Sequence, residues 1–212
     1  MKRFRLLTFL LAVFPLHAEA QSVLPFYQSE DIVFKPELIG KWMIEEQAPV
    51  EFRDAGNRTY GIIFRGLGDG DGQIIARAQL IYLGGRYFLD VQAVGIRFPK
   101  REKDKMQDDG KISFDLKPEE ILLVRNHGLI LVSFSSDPNE FTGTLWKDDW
   151  LPKMAEQKKL KIPYLKDEAG RILLTADSSQ LRKFIANLPK EAFSGESGTL
   201  KRVSASGEKP QG

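Results

Sequence analysis

The chain contains no cysteine among its 212 residues. That absence excludes thiol catalysis, Cys-ligated zinc, covalent haem attachment and disulfide bracing. A bacterial lipid anchor is excluded with them, because it needs a cysteine at the cleavage point. Histidine is almost as scarce, with two in the whole chain. A single histidine cannot build a multi-histidine metal centre. No serine sits in a Gly-x-Ser-x-Gly elbow; Gly195-Glu196-Ser197-Gly198 lacks the final spacing. No apolar run is long enough for a transmembrane helix.

The longest such run is Leu6 to Leu16. It follows the basic residues Lys2, Arg3 and Arg5 and precedes the small-residue pattern Ala18-Glu19-Ala20. Together these read as a secretory leader over 1–20, with Gln21 as the new N-terminus. The expected location is therefore secreted or periplasmic, with no integral membrane span in the mature chain. Removing the leader takes three basic residues and one acid from the 31 basic and 29 acidic residues of the chain. The mature chain is then balanced in charge. It offers no net field for nucleic acid or an anionic membrane.

What remains reads as one ordinary domain, long enough to hold a core. Residues 21–37 read as a lead-in segment, 38–203 as a single β-rich domain and 204–212 as a disordered tail. Strand-like runs recur between turn signals: 41–46, 50–53, 59–65, 73–83, 86–94, 121–125, 128–135, 140–146, 171–175 and 199–203. Gly84-Gly85 between two such runs predicts a tight hairpin. The charged stretch Lys100 to Lys105 predicts a mobile loop. Two helices are expected late in the chain. One runs from Trp150 to about Lys158, with Asp149 as N-cap and Pro152 in its first turn. The other runs from Ser178 to Leu188, with Leu181, Phe184, Ile185 and Leu188 on one face, and ends at Pro189. The fold class is mainly β (α+β), an antiparallel sheet or barrel with two short C-terminal helices.

Gly40-Lys41-Trp42 is similar to the Gly-x-Trp opening of the lipocalins and lipocalin-like barrels. The resemblance implies an up-and-down barrel, sealed at one end by the tryptophan and able to hold an apolar ligand. The second half carries its own pattern. His127 opens an apolar strand, Trp146 leads into Asp148-Asp149-Trp150-Leu151, and Leu173-Leu174-Thr175-Ala176 precedes a helix with Leu181 and Phe184. Phe193 and Leu200-Lys201-Arg202 follow. This looks like a family of small bacterial envelope proteins with a lipocalin-like N-terminal half, over Leu38 to Val203. It implies a fold and a compartment but no reaction.

Several residues invite chemistry and have a plainer reading. His127, the one histidine after the leader, reads as a strand-end side chain bonded to a backbone carbonyl. Asp69-Gly70-Asp71-Gly72 has only the opening of a calcium loop and reads as a hairpin turn. Asp148 and Asp149, near Asp137 and Glu140, could supply an acid–base pair only by converging across a cleft. At a helix start, acids are favoured by the dipole alone. Asn57-Arg58-Thr59 reads as a chance sequon.

Three functions stay open. The leading one is an exported, non-enzymatic binding or envelope-maintenance protein, holding a small apolar or amphipathic ligand in its barrel. Trp42, Phe64, Phe88, His127 and Trp146 are its candidate ligand-binding residues. It would need a continuous cavity above about 300 Å³. The second is a structural or interaction domain with a filled core. The third is a small hydrolase using carboxylates. No catalytic residue, metal site or cofactor is expected, and the sequence specifies no protein partner.

Overall fold

The computed structural model describes residues 20–45, 48–67, 72–97 and 126–203. Eight strands close an antiparallel barrel: β3 (Gly40–Ile44), β4 (Ala48–Asp54), β5 (Tyr60–Leu67), β6 (Gly72–Leu83), β7 (Arg86–Arg97), β8 (His127–Phe134), β9 (Glu140–Thr144) and β12 (Ser197–Arg202). Each pairs with the next, β12 returns to β3, and the β8–β9 pairing completes the ring. The strand pattern predicts an antiparallel sheet or barrel with two helices, and the structure is the closed up-and-down barrel that the Gly-x-Trp resemblance implies.

The alternation that builds the barrel is legible strand by strand. In β4, Ala48, Val50 and Phe52 point inward while Glu51 and Arg53 face out. Strand pleating puts successive side chains on opposite faces, so one apolar face suffices. The second half of β6 breaks the rule because both faces are covered there. Leu80 enters the barrel, while Ile81 and Leu83 enter a second core outside it. The same holds in β7, where Leu89 and Val91 point in and Phe88 points out. At Gly84-Gly85 both residues have positive φ, +56° and +77°. That is the backbone a two-residue primed hairpin turn requires.

The second core is built by what lies between β9 and β12 and by the N-terminal segment. Helix α1 (Trp150–Glu156), strands β10 (Tyr164–Lys166) and β11 (Ile172–Leu174), and helix α2 (Ser178–Ala186) form this outer layer. Strand β1 (Ala20–Ser22) lies between β11, to which it runs parallel, and β8, to which it runs antiparallel. The free edge of β8 thus serves two neighbours in turn. His127 and Gly128 pair with β1, while Leu131 to Phe134 pair with β9. At that fork the barrel parts from a small side sheet. A two-residue strand, β2 (Ile32–Val33), covers the end of β6.

Several expectations are corrected here. The segment 21–37, expected as a lead-in, supplies Gln21 and Ser22 of β1, all of β2 and the fully buried Phe26. Three-residue strands carry no periodicity of their own, and their pairing comes from tertiary contacts. Helix α1 ends at Glu156; Asp149 is at its N-cap position, as expected, but its side chain makes no capping bond. The Asp149 carboxylate binds Lys153 instead. Helix α2 ends at Ala186. Its cap is Asp177, which accepts the Gln180 N–H at 2.8 Å while Gln180 answers in a reciprocal box. The 100–105 loop, the 121–125 strand, Asp69 to Asp71 of the acidic turn and the 204–212 tail lie outside the described residues.

One barrel end is sealed. Trp42 is 1% exposed and donates its indole N–H to the Leu38 carbonyl at 2.8 Å. Phe141 meets its ring edge-on at 4.8 Å. The Arg202 guanidinium lies 4.4 Å from the Trp42 ring centroid and donates to the Ile39 and Glu37 carbonyls. Gly40 is required at this spot. A side chain there would come within 2.5 Å of the Arg202 guanidinium, and its φ is +137°.

Candidate functional site

The candidate ligand-binding residues fall on two sides of one wall. Trp42 and Phe64 are in the barrel core. Phe88 and Trp146 are in the outer core, where Phe193 lies 5.3 Å from the first ring and 4.9 Å from the second. They face away from the barrel interior and cannot line it. The indole N–H of Trp146 is buried with no partner among the described residues. His127 points to the same outer side.

Among the described residues, a cavity of about 30 Å³ lies inside the barrel. Its lining is apolar throughout, from Ile44 and Val50 to Ile130 and Leu200. That is roughly one water molecule's share of liquid volume, in a place with no polar group to hold a water. A larger depression of about 310 Å³ is open to solvent on the outer wall, lined by Glu45, Glu140, Thr199 and Lys201. Its walls are polar and charged.

The one buried polar constellation built around a candidate residue is on the outer wall. Asp90, from β7, is 1% exposed. One of its oxygens accepts from His127 Nδ1 at 2.6 Å. The other accepts the Phe26 N–H at 2.9 Å. Gln92 pairs with His127 across the strands, and its amide nitrogen lies 3.3 Å from His127 Nε2. The carboxylate fixes the proton on Nδ1, so Nε2 is left as acceptor for the Gln92 amide. Both imidazole nitrogens are therefore engaged. The partner of His127 is a carboxylate and an amide, where the sequence suggests a backbone carbonyl. Sequence reading missed Asp90 and Gln92. The available signal was a lone acid inside the apolar run Phe88 to Val91.

This arrangement joins three pieces of chain: β7, the start of β8 and the N-terminal segment. It has no nucleophile. Ser22 sits opposite His127 in the β1–β8 register, but its hydroxyl donates to the Leu174 carbonyl at 3.3 Å and accepts the Leu24 N–H. The acids of the hydrolase reading do not converge either. Asp148 is exposed. Asp149 has a pKa held below the usual carboxylate value, first by its hydrogen bond to Lys153, the opposite of what a general acid needs. Glu140 faces Lys201 at 3.8 Å, and Asp137 caps a turn through the Asn139 N–H. Among the described residues no group of three or more His, Asp and Glu could hold a metal ion. None of their helices is long and apolar enough to cross a membrane.

Tyr27 stands beside this cluster, half-buried. Burial first, and then the negative charge of Asp90, push its phenol up to about 12. A raised value means that the folded state holds the proton more tightly than the unfolded chain. The stabilisation is full below pH 10 and is lost as the pH rises through about 12. Tyr60 also moves up, mainly by burial. Phenolate absorbance should thus show Tyr27 and Tyr60 titrating late. In Asp90→Asn the Tyr27 midpoint should fall yet stay above 10, because burial is the larger cause. An unchanged midpoint would mean that Asp90 carries no charge there.

No protein-family model, curated protein or solved structure matches this chain.

Proposed function

We propose that this is an exported, non-enzymatic, lipocalin-like barrel whose interior is a filled core and which acts through its outer surface, as an interaction protein of the cell envelope. The filled interior carries this reading. The cavity found inside the barrel among the described residues, about 30 Å³, is roughly a tenth of the smallest ordinary ligand pocket, about 300 Å³. That shortfall favours the interaction reading over a carrier of small apolar molecules. The engaged nitrogens of His127 and the low pKa of Asp149 weigh against hydrolysis. Export rests on the leader-like segment over 1–20. The sealed end, with Arg202 over Trp42, supports the Gly-x-Trp resemblance.

Titration with an apolar fluorescent dye such as anilinonaphthalene sulfonate tests this reading. The expected outcome is no saturable binding to the folded protein. Stoichiometric binding with energy transfer from a tryptophan, displaced by fatty acids, would restore the carrier.

A further inference from the structure

The order of paired strands ends at β10. On its inner side Leu165 stands opposite Leu173. The Pro163 carbonyl accepts the Thr175 N–H at 3.0 Å, and the Asp167 N–H reaches the Arg171 carbonyl at 3.1 Å. Residues 163, 165 and 167 thus turn their backbone groups toward β11. Strand geometry then turns the N–H and C=O groups of Tyr164 and Lys166 outward, where no strand among the described residues meets them. Proteins normally guard such an edge with charged residues and keep apolar side chains away from it. Here the central side chain, Leu165, is 62% exposed, more than any other large apolar side chain described.

The approach to this edge is basic. Lys158, Lys159 and Lys161 are exposed and have no carboxylate within ion-pair distance among the described residues. Neighbouring cations are matched: Lys153 with Asp149, Lys166 with Glu156 and Arg171 with Asp167. Glu168, just after β10, is an exposed acid without an ion pair among the described residues, so three unmatched lysines stand against one such carboxylate and the local excess is positive.

Resting on the interaction reading above, we propose that the β10 edge receives an extended acidic segment of a partner protein as one more strand. Main-chain bonds to Tyr164 and Lys166 would supply the register, Leu165 an apolar contact and the lysines the charge preference.

The test uses the mature chain and a labelled peptide of roughly eight alternating Glu and Val residues, followed by fluorescence anisotropy, with a Lys/Val peptide as control. The acidic peptide should bind saturably and more weakly as salt rises, and the basic one should not bind. Tyr164→Pro removes an outward N–H and leaves the bonds to β11 in place. It should weaken binding about tenfold or more. The surface pair Lys159→Glu and Lys161→Glu should do the same without touching the backbone, which covers the case in which the proline variant unfolds. Equal binding of both peptides, no binding, or a concentration-dependent dimer abolished by Tyr164→Pro would overturn the proposal. These failures differ from failure of the interaction reading, which would show as a small apolar molecule recovered from inside the barrel, whatever the peptides do.

Discussion

Trp42→Ala should lower the stability of the protein by about 3–5 kcal/mol, the cost of removing a fully buried large aromatic side chain. In a domain of this size that corresponds to a melting temperature lower by roughly 6–20 °C. The loss has several physical parts. The edge-on contact with Phe141 at 4.8 Å disappears, as does the ring beneath the Arg202 guanidinium. The Leu38 carbonyl loses its 2.8 Å donor. A cavity also opens at the sealed end, beside a barrel core with little slack to collapse into it. Trp42→Phe should cost less, since it keeps the aromatic ring and loses the hydrogen bond. Differential scanning calorimetry of the two variants checks both the size and the order. A loss below about 1 kcal/mol for alanine would mean that Trp42 does not seal the barrel.

The second large effect is expected at Asp90. Asp90→Ala leaves two buried donors, His127 Nδ1 and the Phe26 N–H, without an acceptor. Each orphaned buried group costs about 1–3 kcal/mol. Asp90→Asn should be milder. Its carbonyl oxygen can keep the Phe26 N–H, and its amide can donate to Nδ1 once the imidazole proton moves to Nε2. The Gln92 side chain then turns its oxygen toward Nε2. Nitrogen-15 chemical shifts of His127 would report this exchange of tautomers directly. The N-terminal segment should respond most, because Asp90 holds it through Phe26. Hydrogen exchange at residues 22–26 is expected to rise in Asp90→Ala well beyond the rise in the barrel strands. A uniform rise would mean that the cluster has no special hold on that segment.

The antiparallel β-rich fold was readable from short strands between turn signals, and strands such as Ala48, Val50 and Phe52 show the alternation of period two that one buried face needs; closure into a barrel was not, because it depends on β12 returning to β3. The hairpin at Gly84-Gly85 was readable because few other residues accept its backbone. Trp42 as a plug came from the Gly-x-Trp resemblance; that Gly40 makes room for Arg202 appears only in the structure. The division of the aromatic residues between two cores was not readable. Phe64 and Phe88 look alike in sequence, and only the outer layer, which buries the outward side of β7, shows that Phe88 belongs to the second core while Phe64 belongs to the barrel. The short strands β1 and β10 were hidden for a related reason: three residues hold no pattern, and long-range partners make them strands. The Asp90–His127 contact links residues 37 apart, and the acid inside an apolar run was its one local sign.

Native mass spectrometry of the protein, recovered gently from the cells that make it, tests the central claim most directly. The filled barrel predicts the bare mass of the folded chain, with no small molecule released on denaturation. A discrete added mass that is lost on unfolding, together with quenching of Trp42 fluorescence by that molecule, would contradict the account and make the protein a carrier.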